Sequence, residues 1–133
     1  MVKTREKRKT LFDKHHYSQY LYAKHSAQKM RLVADQVRGL SVSEAQKILK
    51  FSDKRAAVMI KKCLDSAVAN AAVGSVKKNK IAVTNPNDLT VLYCWVDEAP
   101  TRKGWIPRSK GMANPLLFRS SHITVMVGQK EEA

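Results

Sequence analysis

The sequence predicts an α+β fold: three helices packed on a small antiparallel sheet, with a long extended β-hairpin arm. Three observations carry this. Apolar residues recur at helical spacing between Ser26 and Gly74. Two alternating stretches, Leu89 to Asp97 and Ser120 to Val127, read as strands. Between them, Pro100 to His122 holds five cations and no acid, broken by three prolines and two glycines. A basic excursion of this length can bury neither its backbone nor its charges in its own small domain, so a partner must order it, and a polyanion suits it best.

The elements follow in order. Tyr17 to Ala23 is rich in tyrosine and reads as a strand, with Tyr20 and Tyr22 on one face. The first helix opens at Ser26 as N-cap; Met30, Val33, Ala34 and Val37 form its apolar stripe, and Gly39 stops it. The second opens with a capping box, Ser41 and Glu44 three apart, and has Ala45, Ile48 and Leu49 as its apolar face. The third runs from Asp53 to Gly74 on a stripe of Ala56, Ala57, Ile60, Leu64, Ala67, Val68 and Ala71. Its small residues let a neighbour approach closely, which marks a central packing helix. Lys77, Lys78 and Lys80 then form a basic loop, and Asn85-Pro86-Asn87 a turn. In the first of the two late strands, Leu89, Val91, Tyr93, Trp95 and Asp97 alternate with Thr90, Leu92, Cys94 and Val96; in the second, Ile123, Val125 and Val127 alternate with His122, Thr124 and Met126.

A chain of 133 residues fits one domain. It divides into a basic N-terminal extension (1–16) expected to be disordered alone, a body (17–99 and 120–128), the arm (100–119) and a short tail (129–133). The net charge is +14, and it is uneven: the first 31 residues carry nine cations and two acids, while residues 32–98 are nearly balanced at ten and seven. A near-neutral body with two basic appendages points to nucleic acid, with an anionic membrane surface as the weaker alternative. The apolar runs fall short of the roughly 18 residues of a membrane span, and the charged start has no signal core, so a cytoplasmic protein is expected. Met1 to His16 also lacks the apolar stripe of a membrane-surface helix.

Catalysis, cofactors and metals are not expected. The four histidines are scattered, and Ser120-Ser121-His122 alternate across a strand, so adjacency does not put nucleophile and base together. Cys63 and Cys94 have no second pair to complete a zinc site and read as reduced packing residues. Asp97 and Glu98 are expected to pair with cations at the arm base such as Arg119.

The ordered blocks Ser26 to Asp35, Arg38-Gly39, Ala67 to Ala71, Val96 to Pro100, Pro107 to Gly111 and Ser121 to Val125 carry a resemblance. Over about residues 23–128 the chain is similar to the bacterial large-ribosomal-subunit proteins of family twenty-two. That resemblance implies three helices on a three-stranded sheet, binding to large-subunit ribosomal RNA, a part in subunit assembly, and an arm tip at the nascent-peptide exit tunnel. It implies a monomer within the ribosome, with neighbouring ribosomal proteins and transient nascent-chain contact, and cytoplasmic location. The tip departs from the family pattern. Gly104-Trp105 stands where a basic residue is common, Met112 and Asn114 where arginine and aspartate are usual, and Leu116-Leu117-Phe118 replaces a more charged approach.

The candidate RNA contacts follow from charge and exposure. On the arm they are Arg102, Lys103, Arg108, Lys110 and Arg119 for phosphates, with Trp105 placed to stack on a base, to pack on neighbouring protein or to face the tunnel lumen. The tip expected at the tunnel runs through Lys103, Gly104, Trp105, Ile106, Pro107, Arg108, Ser109 and Lys110. On the body, Lys24, Arg31 and Arg38 are seven apart and share a helix face, joined by Lys29; Lys77, Lys78 and Lys80 add a loop cluster. The rival reading, a DNA-architectural protein, would show a recognition helix or dimer interface, and neither is evident in the sequence.

Overall fold

The computed structural model describes Phe12, residues 15–73 and residues 89–129. Strand β1 is His16–Ala23, helices α1, α2 and α3 are Ala27–Val37, Val42–Phe51 and Arg55–Val73, and strands β2 and β3 are Leu89–Pro107 and Ala113–Gln129. The strands make one antiparallel sheet in the order β1-β3-β2. The α+β class and the three-on-three architecture are as expected. Lys77, Lys78, Lys80 and the Asn85-Pro86-Asn87 turn lie outside the described residues.

Local signals explain the helices. Met30, Val33, Ala34 and Val37 are all buried, and Gly39 follows α1 at φ 81°, a left-handed conformation that glycine adopts without strain. At α2 the capping box is complete: the Ser41 hydroxyl accepts from the Glu44 amide (3.3 Å), and the Glu44 carboxylate accepts from the Ser41 amide (3.4 Å). The buried face of α2 is Val42, Ala45 and Leu49; Ile48, expected there, is 39% exposed, one helical step off the stripe. Helix α3 begins at Arg55 rather than Asp53 and packs on β1 and β3 through Ala57, Ile60, Leu64, Ala67 and Ala71. Met30, Ile60, Leu64, Ile123, Val125 and Val127 fill the centre, and each such side chain contributes about 1.5–3 kcal/mol of apolar burial.

Strand β2 corrects the simple alternation. A bulge between Val91 and Tyr93 inserts Leu92 unpaired, so the core parity switches: Leu89 and Val91 are buried before it, Cys94 and Val96 after it, and Tyr93 is exposed. The outer edge of β2 is closed by the end of α1. The Gly39 amide donates to the Val91 carbonyl (2.8 Å) and the Val91 amide to the Leu40 carbonyl (2.9 Å). On the central strand β3 both faces are buried, with Thr124 and Met126 opposite the helix side. Tyr17 pairs with Met126 and Trp95 with Thr124, and the Phe12 ring packs edge-on against Tyr17 (4.6 Å) and Trp95 (5.9 Å). Phe12 and the buried His16, both assigned by sequence to the basic extension, thus pack with the sheet.

Beyond Ala99 the sheet narrows to two strands. Pro100 and Thr101 oppose Arg119 alone in a second bulge, after which the ladder runs from Arg102↔Phe118 to Pro107↔Ala113. A 3-10 turn at Ser109–Gly111 closes it, with Lys110 at φ 57° and Gly111 at φ 68°. The expectation that the arm leaves its backbone for a partner to order is therefore corrected. Its own ladder pairs the two strands, and what remains open is the side chains: every residue from 100 to 119 except Gly104 is exposed.

Candidate nucleic-acid interface

The arm leaves the body over a cleft of about 710 Å³. Lys24 comes from the link between β1 and α1, Lys29 from the first turn of α1, and Arg102 and Arg119 from the arm base; the apolar wall is Pro100, Leu117 and Phe118. No acid lines it. Lys24 and Arg119 are separated by most of the chain, and the pairing of Ala23 with Ser121 at the end of β1 brings them to one place. The Arg102 guanidinium lies over the Phe118 ring at 4.8 Å, a cation–π contact that holds its plane. Gly104 permits this packing, because a Cβ there would come within 3.0 Å of Phe118 Cε2. The Ser26 hydroxyl lines the same cleft and makes no capping bond to α1. Glu98 lines an adjoining recess with Arg119 but forms no ion pair with it, and four cations on apolar walls can hold phosphate on one side and a flat apolar group on the other.

Further out, Lys103, Arg108 and Lys110 are exposed along the ladder and turn. Trp105 is 67% exposed opposite Pro115, and Ile106, Met112, Leu116 and Leu117 are also open to solvent. The tip combines apolar surface with positive charge.

Arg31 and Arg38 have a structural role that the sequence did not show. Arg31 donates from Nε (3.2 Å) and Nη2 (3.1 Å) to the Val96 carbonyl. Arg38 donates from Nε (3.2 Å) and Nη2 (2.6 Å) to the Cys94 carbonyl and pairs with Asp35 at 2.9 Å. The seven-residue spacing does put both on one helix face, but that face turns to the open edge of β2. Two long side chains strap α1 to the two outward carbonyls beyond the first bulge. Lys24 and Lys29 make no such bond and stand at the cleft. Asp97 and Glu98 form no ion pair with Arg119, so the expected anchoring of the arm angle is replaced by the bulge and by the Ser120 hydroxyl donating to the Pro100 carbonyl (2.8 Å).

Sequence reasoning missed His25, Ser26 and Phe118 at the cleft. It also missed a second recess of about 470 Å³ between α2 and α3, where Lys47, Lys50 and Lys61 surround a Gln46–Asp65 hydrogen bond of 2.8 Å. The three-residue spacing of Lys47 and Lys50 on one helix face was the available signal for the latter.

The cysteines are buried and free. Burial pushes the Cys63 thiol up, and burial followed by the nearby Cys63 pushes Cys94 up to about 12. Both stay protonated, as packing thiols do. Among the described residues no three His, Cys, Asp or Glu side chains cluster as metal ligands, and no helix is long and apolar enough to cross a membrane. The family described as Ribosomal protein L22p/L17e matches residues 18–128, a span that includes most of β1 and β3, all of α1, α2, α3 and β2, and the whole arm.

Proposed function

Because the chain belongs to the ribosomal protein L22p/L17e family, whose role in the large subunit is structural, we propose that it binds large-subunit ribosomal RNA through the arm and the arm-base cleft, helps the subunit assemble, and presents the arm tip at the nascent-peptide exit tunnel. The observation that carries this is the acid-free cluster of Lys24, Lys29, Arg102 and Arg119 where the arm leaves the body. Lys103, Arg108 and Lys110 continue the positive surface outward.

The mechanism is charge neutralisation on a preformed shape. RNA helices expose phosphates and shape rather than readable base edges, so a narrow basic ladder fits the crevices between them. A hairpin already paired along its length loses less conformational freedom on docking than an open loop would. From Arg102 to Pro107 the ladder reaches roughly 20 Å past the bulge, at about 3.4 Å per residue, enough to carry the tip away from the body. The five arm cations meeting one phosphate each would contribute roughly −3.5 to −4.5 to the log–log salt dependence of binding. The body's lysines at the α2–α3 recess, and Lys77, Lys78 and Lys80, would let one chain cross-link separate RNA segments. The protein acts as a monomer beside neighbouring ribosomal proteins, in the cytoplasm and in a ribosome of bacterial type, with no chemistry of its own.

The test is sedimentation of a lysate through a sucrose gradient with and without a salt wash. Co-migration with the large subunit that survives moderate salt supports the reading. Residence at the top of the gradient, or migration with chromosomal DNA, overturns it in favour of a DNA-architectural role.

A further inference from the structure

The arm-base cleft is shaped for something more particular than the side of an RNA helix. Its volume of about 710 Å³ falls in the range of sites for a nucleotide-sized ligand. Its lining is divided by chemistry, with Pro100, Leu117 and Phe118 on one wall and lysines and arginines on the other. Beside that wall the Arg102 guanidinium carbon lies over the Phe118 ring, 4.8 Å from its centroid, and glycine at 104 leaves room for the Phe118 ring. A guanidinium plane backed by an aromatic ring is a surface on which an unstacked base lies, whereas a phosphate needs only the charge.

Resting on the reading above that the protein binds RNA, we propose that this cleft seats an unpaired nucleotide of a single RNA strand. The base stacks on the Arg102–Phe118 pair, and the flanking phosphates are held by Lys24, Lys29 and Arg119. The Ser26 hydroxyl, free of any capping duty, is available to the ribose or a phosphate. The cleft then fixes where the arm enters RNA, because the strand it holds lies between the body and the arm.

The test is Arg102→Lys, which keeps the charge and removes the plane. Arg102 makes a cation–π contact on an exposed arm, so the fold does not depend on it. Full-length protein and variant are titrated with an unstructured ten-nucleotide RNA and with a ten-base-pair RNA duplex at several salt concentrations. The variant is expected to lose roughly fivefold to a hundredfold in affinity for the single strand, the range that stacking of one base supports. Duplex affinity and the salt slope should stay unchanged. Lys24→Gln, by contrast, should lower the single-strand salt slope by about 0.7. In isotope-labelled protein, the single strand should shift the resonances of Arg102, Gly104 and Phe118. An Arg102→Lys variant that binds both RNAs as the parent does, or loses both equally, overturns the nucleotide seat while leaving ribosomal RNA binding intact. Failure of the parent protein to bind a structured large-subunit RNA fragment at all would overturn the broader reading as well.

Discussion

Replacing Arg38 by methionine should cost stability before it costs RNA affinity. Arg38 donates twice to the Cys94 carbonyl, at 3.2 and 2.6 Å, and pairs with Asp35 at 2.9 Å. A hydrogen bond from a charged donor is worth about 1.5–3 kcal/mol. The Arg38 and Asp35 side chains are 46% and 61% exposed, so water competes and the ion pair adds at most a few tenths. Methionine preserves the unbranched stem and its packing. The net loss is then about 1–2 kcal/mol, which for a domain of this size lowers Tm by about 4–8 °C. Circular dichroism of the free protein measures this, and titration of a ribosomal RNA fragment at several salt concentrations measures binding. The strap predicts a lower Tm with an unchanged salt slope. An unchanged Tm with a slope reduced by about 0.9 would make Arg38 a phosphate contact and refute the strap.

Ser41→Ala removes the hydroxyl half of the capping box at α2 and should cost about 1 kcal/mol, seen as a Tm lower by about 4 °C; an unchanged Tm would mean the box adds nothing to the packed helix. Arg108→Gln combined with Lys110→Gln should leave the Tm alone and reduce the salt slope of RNA binding by roughly 1.4–1.8; an unchanged slope would take the tip out of the RNA contact. Cys94→Ala tests the buried thiol. In the folded protein Cys94 holds its proton up to about 12, against an ordinary value of 9.0. The unfolded chain releases that proton first, so this contribution is complete below pH 9 and fades between pH 9 and 12. Denaturant titrations across that window should show parent stability falling more steeply than the variant's, and parallel curves would contradict it.

What was legible in the sequence was local. The stripe of α1, the box at Ser41–Glu44 and the stop at Gly39 involve residues within one or two turns of each other, and they form as read. The bulge at Leu92 was not legible, because leucine fits a core face and an unpaired position equally, and only the pairing with β3 decides. The covering of Met126 and Thr124 was hidden for the same reason: Phe12 sits in a strongly basic stretch whose composition masks one packed ring. At the site, residue type was readable and company was not. Lys24, Lys29, Arg102 and Arg119 were each marked as cations, but their convergence depends on the pairing of β1 and β2 with β3, which places residues from opposite ends of the chain together. Arg31 and Arg38 add a partner that was not legible: helical spacing put them on one face, and that face meets a strand edge as well as solvent.

That strand edge explains why the arm is so basic. In the body, β2 is an edge strand made safe by Gly39, Leu40 and the two arginine straps. Past Ala99 neither protection continues: β1 pairs with β3 only as far as Ser121, and the last β2 carbonyl that a strap from α1 holds is that of Val96. The arm is a two-stranded ladder with two open edges and exposed Trp105, Ile106, Leu116 and Leu117. Such a ladder is marginal by itself and invites pairing with another copy. It is held by its continuity with the three-stranded sheet, and copies are held apart by five cations with no acid among them. The same charge that keeps free arms from pairing is neutralised by phosphate, and only then can the apolar faces of the arm come into contact with other surfaces. The acid-free composition thus serves solubility before binding and affinity after it, so a single acid introduced near Arg102 or Arg119 would weaken both.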